Sequence, residues 1–306
     1  MIPAVSVIVT VYNRTQYLRP ALQSVLAQTF PSFEVIVTAD SANDEIRAIC
    51  ESFQRPEIRY RRNPETLGVA LNLRAALAEA RGRYVAVLND DDLWEPEFLE
   101  RLVAPLDENP DRVLAFCDHW MMSGEGEVNT VQTDEVSQYY GRADLPLGEV
   151  ADFQTFALVQ KGVPLAMGAL FRRDAVDLDL IVKEVSGAYD YWIACLLAAS
   201  GRAAYYVPAR LTKYRVHAAM ETARLAPDKQ ENLVYIYRTL LERNLFPELR
   251  ARVTEFYSQV LRMVGKDQLH FGFRDKAREY FRRSFAARRN VKTAAWWARS
   301  YLPGKG

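Results

Sequence analysis

Short apolar runs alternate with amphipathic segments along the first hundred residues. The apolar, often β-branched runs predict strands at 5–10, 34–38, 58–61 and 84–88. Apolar residues at helical spacing predict helices near 18–26, 43–53 and 66–81. Asn13 and Thr15 offer caps for the first of these helices. Strands that alternate with helices in this way predict an α/β fold with a parallel sheet and right-handed crossovers.

The regular alternation ends beyond Asp118. Strand-like runs at 166–171, 203–207 and 211–215, with a helical pattern at 189–200, indicate a mixed second half of the same domain. From residue 228 onward the pattern is helical throughout, and 260–288 has the form of a helical hairpin. The sequence therefore predicts an α/β domain at 1–227, with halves at 1–117 and 118–227, and a helical C-terminal region at 228–306.

Composition and charge place the chain among soluble globular proteins, with 306 residues, 49% hydrophobic and 25% charged. Lys+Arg and Asp+Glu both number 39, so the chain lacks the basic surplus of a general nucleic-acid binder. The balance hides two halves, because 228–306 contains 17 basic and 8 acidic residues, leaving 22 and 31 for 1–227. The three cysteines form no CxxC, which argues against a disulfide framework and favours a cytoplasmic protein.

Polar side chains follow the predicted parallel strands at their carboxyl ends, where such sheets bind ligands. Thr10 ends the first strand and Tyr12 follows it, Asp40 follows the second, and Asn-Asp-Asp-Asp at 89–92 follows the fourth. Three adjacent carboxylates repel one another unless a cation neutralises them. Such oxygen ligands suit Mg²⁺ or Mn²⁺ held partly through the phosphates of a substrate. A solvated turn that caps the next helix is the alternative interpretation.

A series of segments resembles one known family. The segments are VSVIVTVYNR at 5–14, YLRPALQSVLAQTF at 17–30, FEVIV at 33–37, GVALN at 68–72, GRYVAVLNDDDLWEP at 82–96 and, within 203–217, YYVPARLTKYRVH. Together they resemble a family 2 glycosyltransferase. The resemblance implies the GT-A (Rossmann-like) fold, with a mixed, mostly parallel sheet flanked by helices, as well as an inverting reaction and a nucleotide-sugar donor. It also implies a nucleotide-binding half at 1–117 and an acceptor-binding half at 118–227.

The resemblance assigns roles to the strand-end residues. It implies that Thr10 and Tyr12 line the nucleotide base, which Asp40 hydrogen-bonds. Asp90 then lies against the ribose and Asp91 binds the metal. Asn89 replaces the first aspartate of the family's D-x-D motif, and Asp92 is expected to compensate as a further metal ligand. Arg74 is a candidate phosphate contact, although the family's usual Arg-Asn pair reads Leu73-Arg74 here.

The catalytic base departs from the family pattern. Ala188 stands at the usual position, so Asp190 is the candidate base that takes the acceptor's proton, with Glu184 a second choice. A favourable charge in the first turn of a helix is the alternative role for Asp190. His217 is a candidate metal or phosphate contact and Arg215 a candidate diphosphate contact, each with an ordinary surface role as the alternative.

These features predict a metal-dependent glycosyltransferase that moves a sugar, with UDP the expected nucleotide, to a glycan or lipid-linked acceptor in surface polysaccharide or glycoconjugate assembly. A catalytically silent nucleotide-sugar-binding scaffold and a nucleotidyltransferase are the alternatives. The basic, aromatic segment 274–306 suggests peripheral contact with the inner face of a membrane. A homodimer contact through 228–306, or a helical hairpin with arginines in water, remains open.

Overall fold

The computed structural model describes residues 2–217 and 230–302. The chain divides into two compact units, Met1–Ala218 and Ala219–Gly306. The predicted boundary between residues 227 and 228 lies outside the described residues and stays a prediction. The predicted division of the first domain after residue 117 stays a prediction as well.

A nine-stranded sheet forms the centre of the first unit's described part. Its order is β3 (Ile58–Arg62), β2 (Phe33–Ala39), β1 (Val5–Val11), β4 (Tyr84–Asn89), β8 (Ala169–Arg172), β6 (Arg112–Met122), β9 (Ala203–Arg215) and β5 (Leu93–Trp94), and β7 (Gly148–Glu149) also pairs with β9. The β1–β2, β1–β4, β2–β3 and β6–β9 ladders are parallel, and β5, β7 and β8 pair antiparallel. The predicted mixed, mostly parallel sheet is confirmed.

Helices connect and cover these strands. They are α1 (Leu18–Leu26), α2 (Asp44–Ser52), α3 (Val69–Glu79), α4 (Phe98–Glu108), α5 (Thr130–Tyr139), α6 (Phe153–Thr155), α7 (Leu165–Gly168) and α8 (Tyr189–Ala199). A π-helical turn spans Phe156–Gln160, and 3₁₀ turns span Arg173–Ala175, Leu178–Leu180 and Lys183–Ala188.

The core explains why three strand ends meet at one edge. All of β1 is buried, and Val7 and Val9 lie in the same apolar cluster as Leu18 and Leu22 of α1. A central parallel strand needs apolar residues on both faces, which the run VSVIVTV supplies. The register places Thr10 opposite Asn89 and Thr38, so β1, β2 and β4 end side by side.

Four local predictions differ from the structure. The predicted strand at 166–171 is a short helix, Leu165–Gly168, followed by the strand β8, Ala169–Arg172. Asn13 and Thr15 do not cap α1, because that helix begins after Tyr17, whose side chain makes no capping bond. The 11-residue strand β6 was not predicted, since its apolar run is interrupted by Asp118 and His119. The two predicted pieces at 203–207 and 211–215 are one strand, and Pro208 lies where the β6–β9 register shifts.

The second unit is helical, as predicted. It contains α9 (Glu231–Glu242), α10 (Arg250–His270), α11 (Arg274–Ala287) and α12 (Val291–Arg299). The predicted hairpin corresponds to α10 and α11, where a Cβ on Gly265 would come within 2.7 Å of the buried Phe281 ring. Across 2–217 and 230–302, no helix combines the length and the apolar character needed to cross a bilayer.

Candidate functional site

The loop that follows β4 presents two nearly buried carboxylates to an arginine. The side chains of Asp90 and Asp91 are 8% and 12% exposed. Nη2 of Arg14, three residues beyond the end of β1, donates to Asp90 Oδ1 at 2.5 Å and to Asp91 Oδ2 at 2.6 Å. The positive charge that offsets part of the charge of this pair therefore comes from the loop after the neighbouring strand.

His217 joins this cluster from the end of β9. Its Nε2 lies 3.0 Å from Asp91 Oδ2 and 3.0 Å from Arg14 Nη1, and its side chain is 8% exposed. The structure thus brings together Asp90, Asp91 and His217, three residues that the sequence assigned to one site. A carboxylate oxygen and an imidazole nitrogen face the same position.

Asp92 points in the opposite direction. It is fully buried, and its oxygens accept from the Arg215 N–H at 2.9 Å and from Asn89 Nδ2 at 3.1 Å. Burial, followed by the charge of Asp91, raises the pKa of Asp92 well above its usual value. The structure does not bring Asp92 to the position that Asp91 and His217 share, because its Oδ1 holds the loop to β9 and its Oδ2 bonds Asn89 at the end of β4.

Arg215 is buried, and its guanidinium is hydrogen-bonded to backbone carbonyls. Nε donates to the Asp91 carbonyl at 2.8 Å, Nη1 donates to the Gly124 carbonyl at 2.9 Å, and the group stacks over Tyr17 at 4.5 Å. The residue is 5% exposed. These contacts hold the loop that carries Asp90 and Asp91 in place. They differ from the contacts expected of an arginine that binds a diphosphate.

The ends of β1 and β2 place an exposed ring near a buried carboxylate. Thr10 is 8% exposed and Tyr12 is 56% exposed. Asp40, 4% exposed, accepts from Asn63 Nδ2 at 2.7 Å and from the Leu67 and Gly68 amides at 2.9 and 2.8 Å. A carboxylate offers about four acceptor positions, so Asp40 orders this loop and retains capacity for a ligand.

Arg74 lies apart from these groups. It projects from α3 and donates to Asp179 at 2.8 Å. The pair is largely exposed, since the Arg74 and Asp179 side chains are 38% and 86% accessible. The structure therefore shows Arg74 in a surface ion pair, a type that contributes little to stability.

The candidate base Asp190 lies in the first turn of α8. Its Oδ1 accepts from the Tyr191 amide at 2.7 Å, and burial raises the pKa of its carboxyl while the charge of Lys161 opposes this effect. The preceding residue connects the helix to the acidic loop, because Tyr189 Oη donates to Asn89 Oδ1 at 3.2 Å. Glu184, the second choice, is exposed on the preceding 3₁₀ turn.

Sequence reasoning missed two residues of this site. Arg14 is the final residue of the segment VYNR, and adjacent carboxylates in need of a positive charge were the available signal. Tyr189 immediately precedes the candidate base, but only the packing of α8 shows that it contacts Asn89. Tyr189 lies beside the candidate base Asp190, whereas the neighbours of Arg14, Asn13 and Thr15, were predicted to cap a helix.

A second feature is a cavity of about 530 Å³ between α5, β6 and β9. Its walls combine the aromatic side chains of Trp120 and Tyr206 with the charged groups of Asp134, Arg142 and Arg210. Arg210 covers the Trp120 ring at 4.7 Å and also bonds Asp134. Aromatic surface with a few placed polar groups is typical of a small-molecule or sugar site.

One polar atom at this cavity lacks a partner. Arg142, 2% exposed, donates through Nε to Asp118 at 2.8 Å, yet its buried Nη2 has no hydrogen-bond partner in the described part of the chain. Arg142 also stacks on Tyr140 at 5.3 Å. Burial is the main cause of the raised pKa of Tyr140, but the charge of Asp190 contributes, so Tyr140 lies within electrostatic reach of the candidate base.

The acidic site can hold a divalent cation with only a few ligands from the protein. Within 2–217 and 230–302, no three His, Cys, Asp or Glu side chains converge as a metal cluster. Mg²⁺ and Mn²⁺ nevertheless commonly bind through one or two protein ligands together with substrate phosphates. Asp91 and His217 supply an oxygen and an imidazole nitrogen 3.0 Å apart, a donor set that fits such a cation.

Comparison with known sequences identifies the family pattern. The pattern of "Glycosyl transferase family 2" matches residues 6–175. An uncharacterized glycosyltransferase, RT0329 of Rickettsia typhi, is 28% identical over 226 residues, which cover 72% of this chain and 66% of that protein. An uncharacterized glycosyltransferase of Haemophilus influenzae is 25% identical over 246 residues, covering 76% of this chain and 74% of that protein.

Solved structures match the fold along almost the whole chain. S. aureus TarS 1-349 in complex with UDP has a TM-score of 0.65 and 18% identity, covering 97% of this chain and 88% of that one. The mannosyltransferase PcManGT of Pyrobaculum calidifontis, in complex with GDP-Man and Mn²⁺, has a TM-score of 0.61 and 18% identity, covering 97% and 79%. The predicted GT-A fold is confirmed.

Proposed function

Because the chain belongs to glycosyl transferase family 2, we propose that it is an inverting transferase. It moves a sugar from a nucleotide-sugar, with UDP as the nucleotide, to a hydroxyl of a glycan or lipid-linked acceptor in surface polysaccharide or glycoconjugate assembly. One observation carries this proposal: Asp91 and His217 meet beside Asp90 at the strand ends of a GT-A sheet. That arrangement suits a diphosphate and its cation.

The nucleotide lies over the ends of β1 and β2. The exposed ring of Tyr12 stacks with the base, Asp40 hydrogen-bonds it, and Thr10 lines the same edge. Asp90 lies against the ribose. The structurally similar proteins TarS and PcManGT were solved with UDP or UDP-GlcNAc and with GDP-Man, which supports a nucleotide-sugar donor for this chain too.

Asp91 and His217 are the residues that would hold Mg²⁺ or Mn²⁺. When bound, such a cation supplies positive charge that stabilises the departing diphosphate. Asp92, Arg215 and Asn89 keep Asp91 in position from the inner side, since their mutual bonds tie the loop to β9. A well-fixed carboxylate of this kind loses little order when it binds a ligand.

Asp190 acts as the general base. It takes the proton of the acceptor hydroxyl while that oxygen forms a bond to the anomeric carbon, on the face opposite the nucleotide. The bond from this carbon to the phosphate oxygen breaks, and the diphosphate leaves with the electron pair. Burial raises the pKa of Asp190, which makes its carboxylate a stronger base than an exposed aspartate.

The acceptor glycan extends into the cavity between α5 and β9. Trp120 offers an apolar face to a sugar ring, and Asp134 and Arg210 supply polar partners for its hydroxyls. Tyr140 and Arg142 connect this cavity to the surroundings of Asp190. The cavity is therefore the part of the acceptor-binding half that we assign to the acceptor's sugars.

Calorimetric titration of UDP, with and without Mn²⁺, tests the proposal. We expect Mn²⁺ to strengthen UDP binding to the wild-type protein and to have no effect on Asp91→Ala. Asp44→Ala is the matched control, because Asp44 is an exposed aspartate in the first turn of α2 that pairs with Arg62. Binding that is independent of Mn²⁺, or unchanged in Asp91→Ala, would overturn the metal site.

A nucleotide-sugar-binding subunit without catalysis is the second candidate, and Ala188 at the usual base position favours it. Its distinguishing property is donor binding without turnover. Sugar transfer or donor hydrolysis by the wild-type protein that is lost in Asp190→Asn would eliminate this candidate.

A further inference from the structure

Arg14 occupies the centre of the acidic site. Its guanidinium bonds both Asp90 and Asp91 through one nitrogen, and its second terminal nitrogen lies 3.0 Å from His217 Nε2. These are the groups that suit a metal, and one guanidinium of the protein already offsets part of their negative charge. A charge-assisted bond of 2.6 Å to Asp91 is a strong one.

Arg14 and a divalent cation need the same oxygen. Asp91 Oδ2 accepts from Arg14 Nη2 and also faces His217 Nε2 at 3.0 Å. A cation held by Asp91 and His217 would lie within a few ångströms of the guanidinium, where like charges repel strongly because water is largely excluded. Both cannot occupy the position together.

The Arg14 side chain is accessible enough to solvent to move away from the carboxylates. Its side chain is 25% exposed, whereas those of Asp90, Asp91 and His217 are 8 to 12% exposed. Its Nε has no hydrogen-bond partner in the described part of the chain, so the residue still has a donor to satisfy. A phosphate oxygen is the acceptor that a guanidinium binds most readily.

We propose that Arg14 is a built-in counter-cation that competes with the divalent cation for Asp91 and moves to the diphosphate when the donor binds. This inference rests on the proposed function. It makes the metal and the donor bind cooperatively, because the donor gives the displaced guanidinium a new partner. The cation alone then binds weakly, since it must displace Arg14 without compensation.

Mn²⁺ binding without nucleotide tests this competition. Free Mn²⁺ is measured by electron paramagnetic resonance in titrations of the full chain as wild type, Arg14→Gln, Asp91→Asn and Arg19→Gln. Arg19 is the matched control, an exposed arginine on α1 that donates to Ser52. We expect Arg14→Gln to bind Mn²⁺ at least tenfold more tightly than wild type, Arg19→Gln to match wild type, and Asp91→Asn to lose the site.

A second measurement adds UDP to the same titrations. We expect UDP to strengthen Mn²⁺ binding by a larger factor in wild type than in Arg14→Gln, because only wild type has a guanidinium to relocate. Arg14→Lys covers the case that Arg14→Gln does not fold. Its single ammonium group cannot form the same fork, so it should show intermediate Mn²⁺ affinity.

The outcomes separate the inference from the proposed function. Equal or weaker Mn²⁺ binding in Arg14→Gln, with the site still lost in Asp91→Asn, would overturn the competition and leave the metal-dependent transferase standing. An absence of Mn²⁺ binding in every variant, even with UDP, would overturn both the metal site and the inference.

Discussion

At the scale of single residues, the protonation state of Asp190 controls the proposed reaction. The carboxyl must be ionised to accept a proton, and burial raises its pKa above the usual 3.8. As the pH falls through this raised pKa, the base becomes protonated and kcat decreases. We therefore expect the acidic limb of the pH profile of kcat to lie above the range of an exposed aspartate.

The same residue gives a direct mutational test. Asp190→Asn should lower kcat by about 10²- to 10⁴-fold, the range typical of a lost general base, and should abolish the acidic limb. UDP affinity should stay unchanged. Asp144→Asn, at an exposed position, is the control for the charge change. A variant that retains kcat would show that another group takes the proton.

Trp120 tests the assignment of the acceptor cavity. Loss of its ring in Trp120→Ala should raise KM for the acceptor by about threefold to tenfold, the equivalent of an aromatic contact of roughly 1 kcal/mol. The affinity for UDP should not change, because Trp120 belongs to the cavity and not to the strand-end loop. Trp296→Ala, in the helical unit, is the matched control, and an equal rise in KM for both variants would contradict the assignment.

Part of the site could be predicted because position along the chain determined it. Asp90 and Asp91 follow a buried strand, and the carboxyl ends of parallel strands share one edge. Side-chain direction could not be predicted, so Asp92 and Arg215 were expected to face the ligand but turn inward. The role of Arg14 depends on a contact across 76 residues, which no local pattern encodes.

At the scale of elements, Gly82 permits the close approach of β1 to the turn before β4. A Cβ at this position would lie 2.5 Å from Ser6 N and 2.7 Å from the Val5 carbonyl carbon. Backbone atoms of a central strand cannot move aside easily, so Gly82→Ala should lower the free energy of unfolding by about 1 to 3 kcal/mol.

Chemical denaturation measures this effect. Gly187→Ala is the matched control, because a Cβ there meets nothing within 4 Å. It should leave the unfolding midpoint nearly unchanged. If both substitutions shifted the midpoint equally, the contact between Gly82 and β1 would not be the cause.

The elements that followed a clear periodicity were predicted well, and those that did not were missed. β1, β2 and β4 are buried apolar runs bounded by polar turns and β3 is mostly half-buried, and all four lie close to their expected positions. The strand β6 carries the buried residues Asp118 and His119, and Asp118 is paired with the buried Arg142. Polar residues inside a strand interrupt the apolar run from which the strand would be predicted.

At the scale of the whole molecule, the neutral net charge separates into an acidic and a basic part. The segment 274–306 has 10 basic and 2 acidic residues. Its aromatic side chains are partly used within the helical unit, where Phe281 is buried and Trp296 lies beneath Lys266 and Arg299. The exposed cations are thus the groups available to an anionic surface.

We expect the full chain to float with vesicles containing anionic lipid, and to do so less as the salt concentration rises. Replacing the exposed cations Lys276, Arg289 and Lys292 by Gln should reduce flotation strongly, since each basic residue near the surface contributes about 1 kcal/mol. Gln at the exposed arginines 47, 83 and 101 is the matched control. Equal flotation of the two triple variants would reject a specific contribution of the helical unit.

The residues of the acidic site lie far apart in the sequence, which has a consequence for folding during protein synthesis. Arg14 and His217 lie 203 residues apart in the sequence. The Asp92 carboxylate and the Arg215 amide that donates to it lie 123 residues apart. A nascent chain therefore carries its three adjacent aspartates for most of the translation of the first unit before β9 can close the loop. Contacts this distant form late, so the donor site should be among the last parts of the fold to be completed.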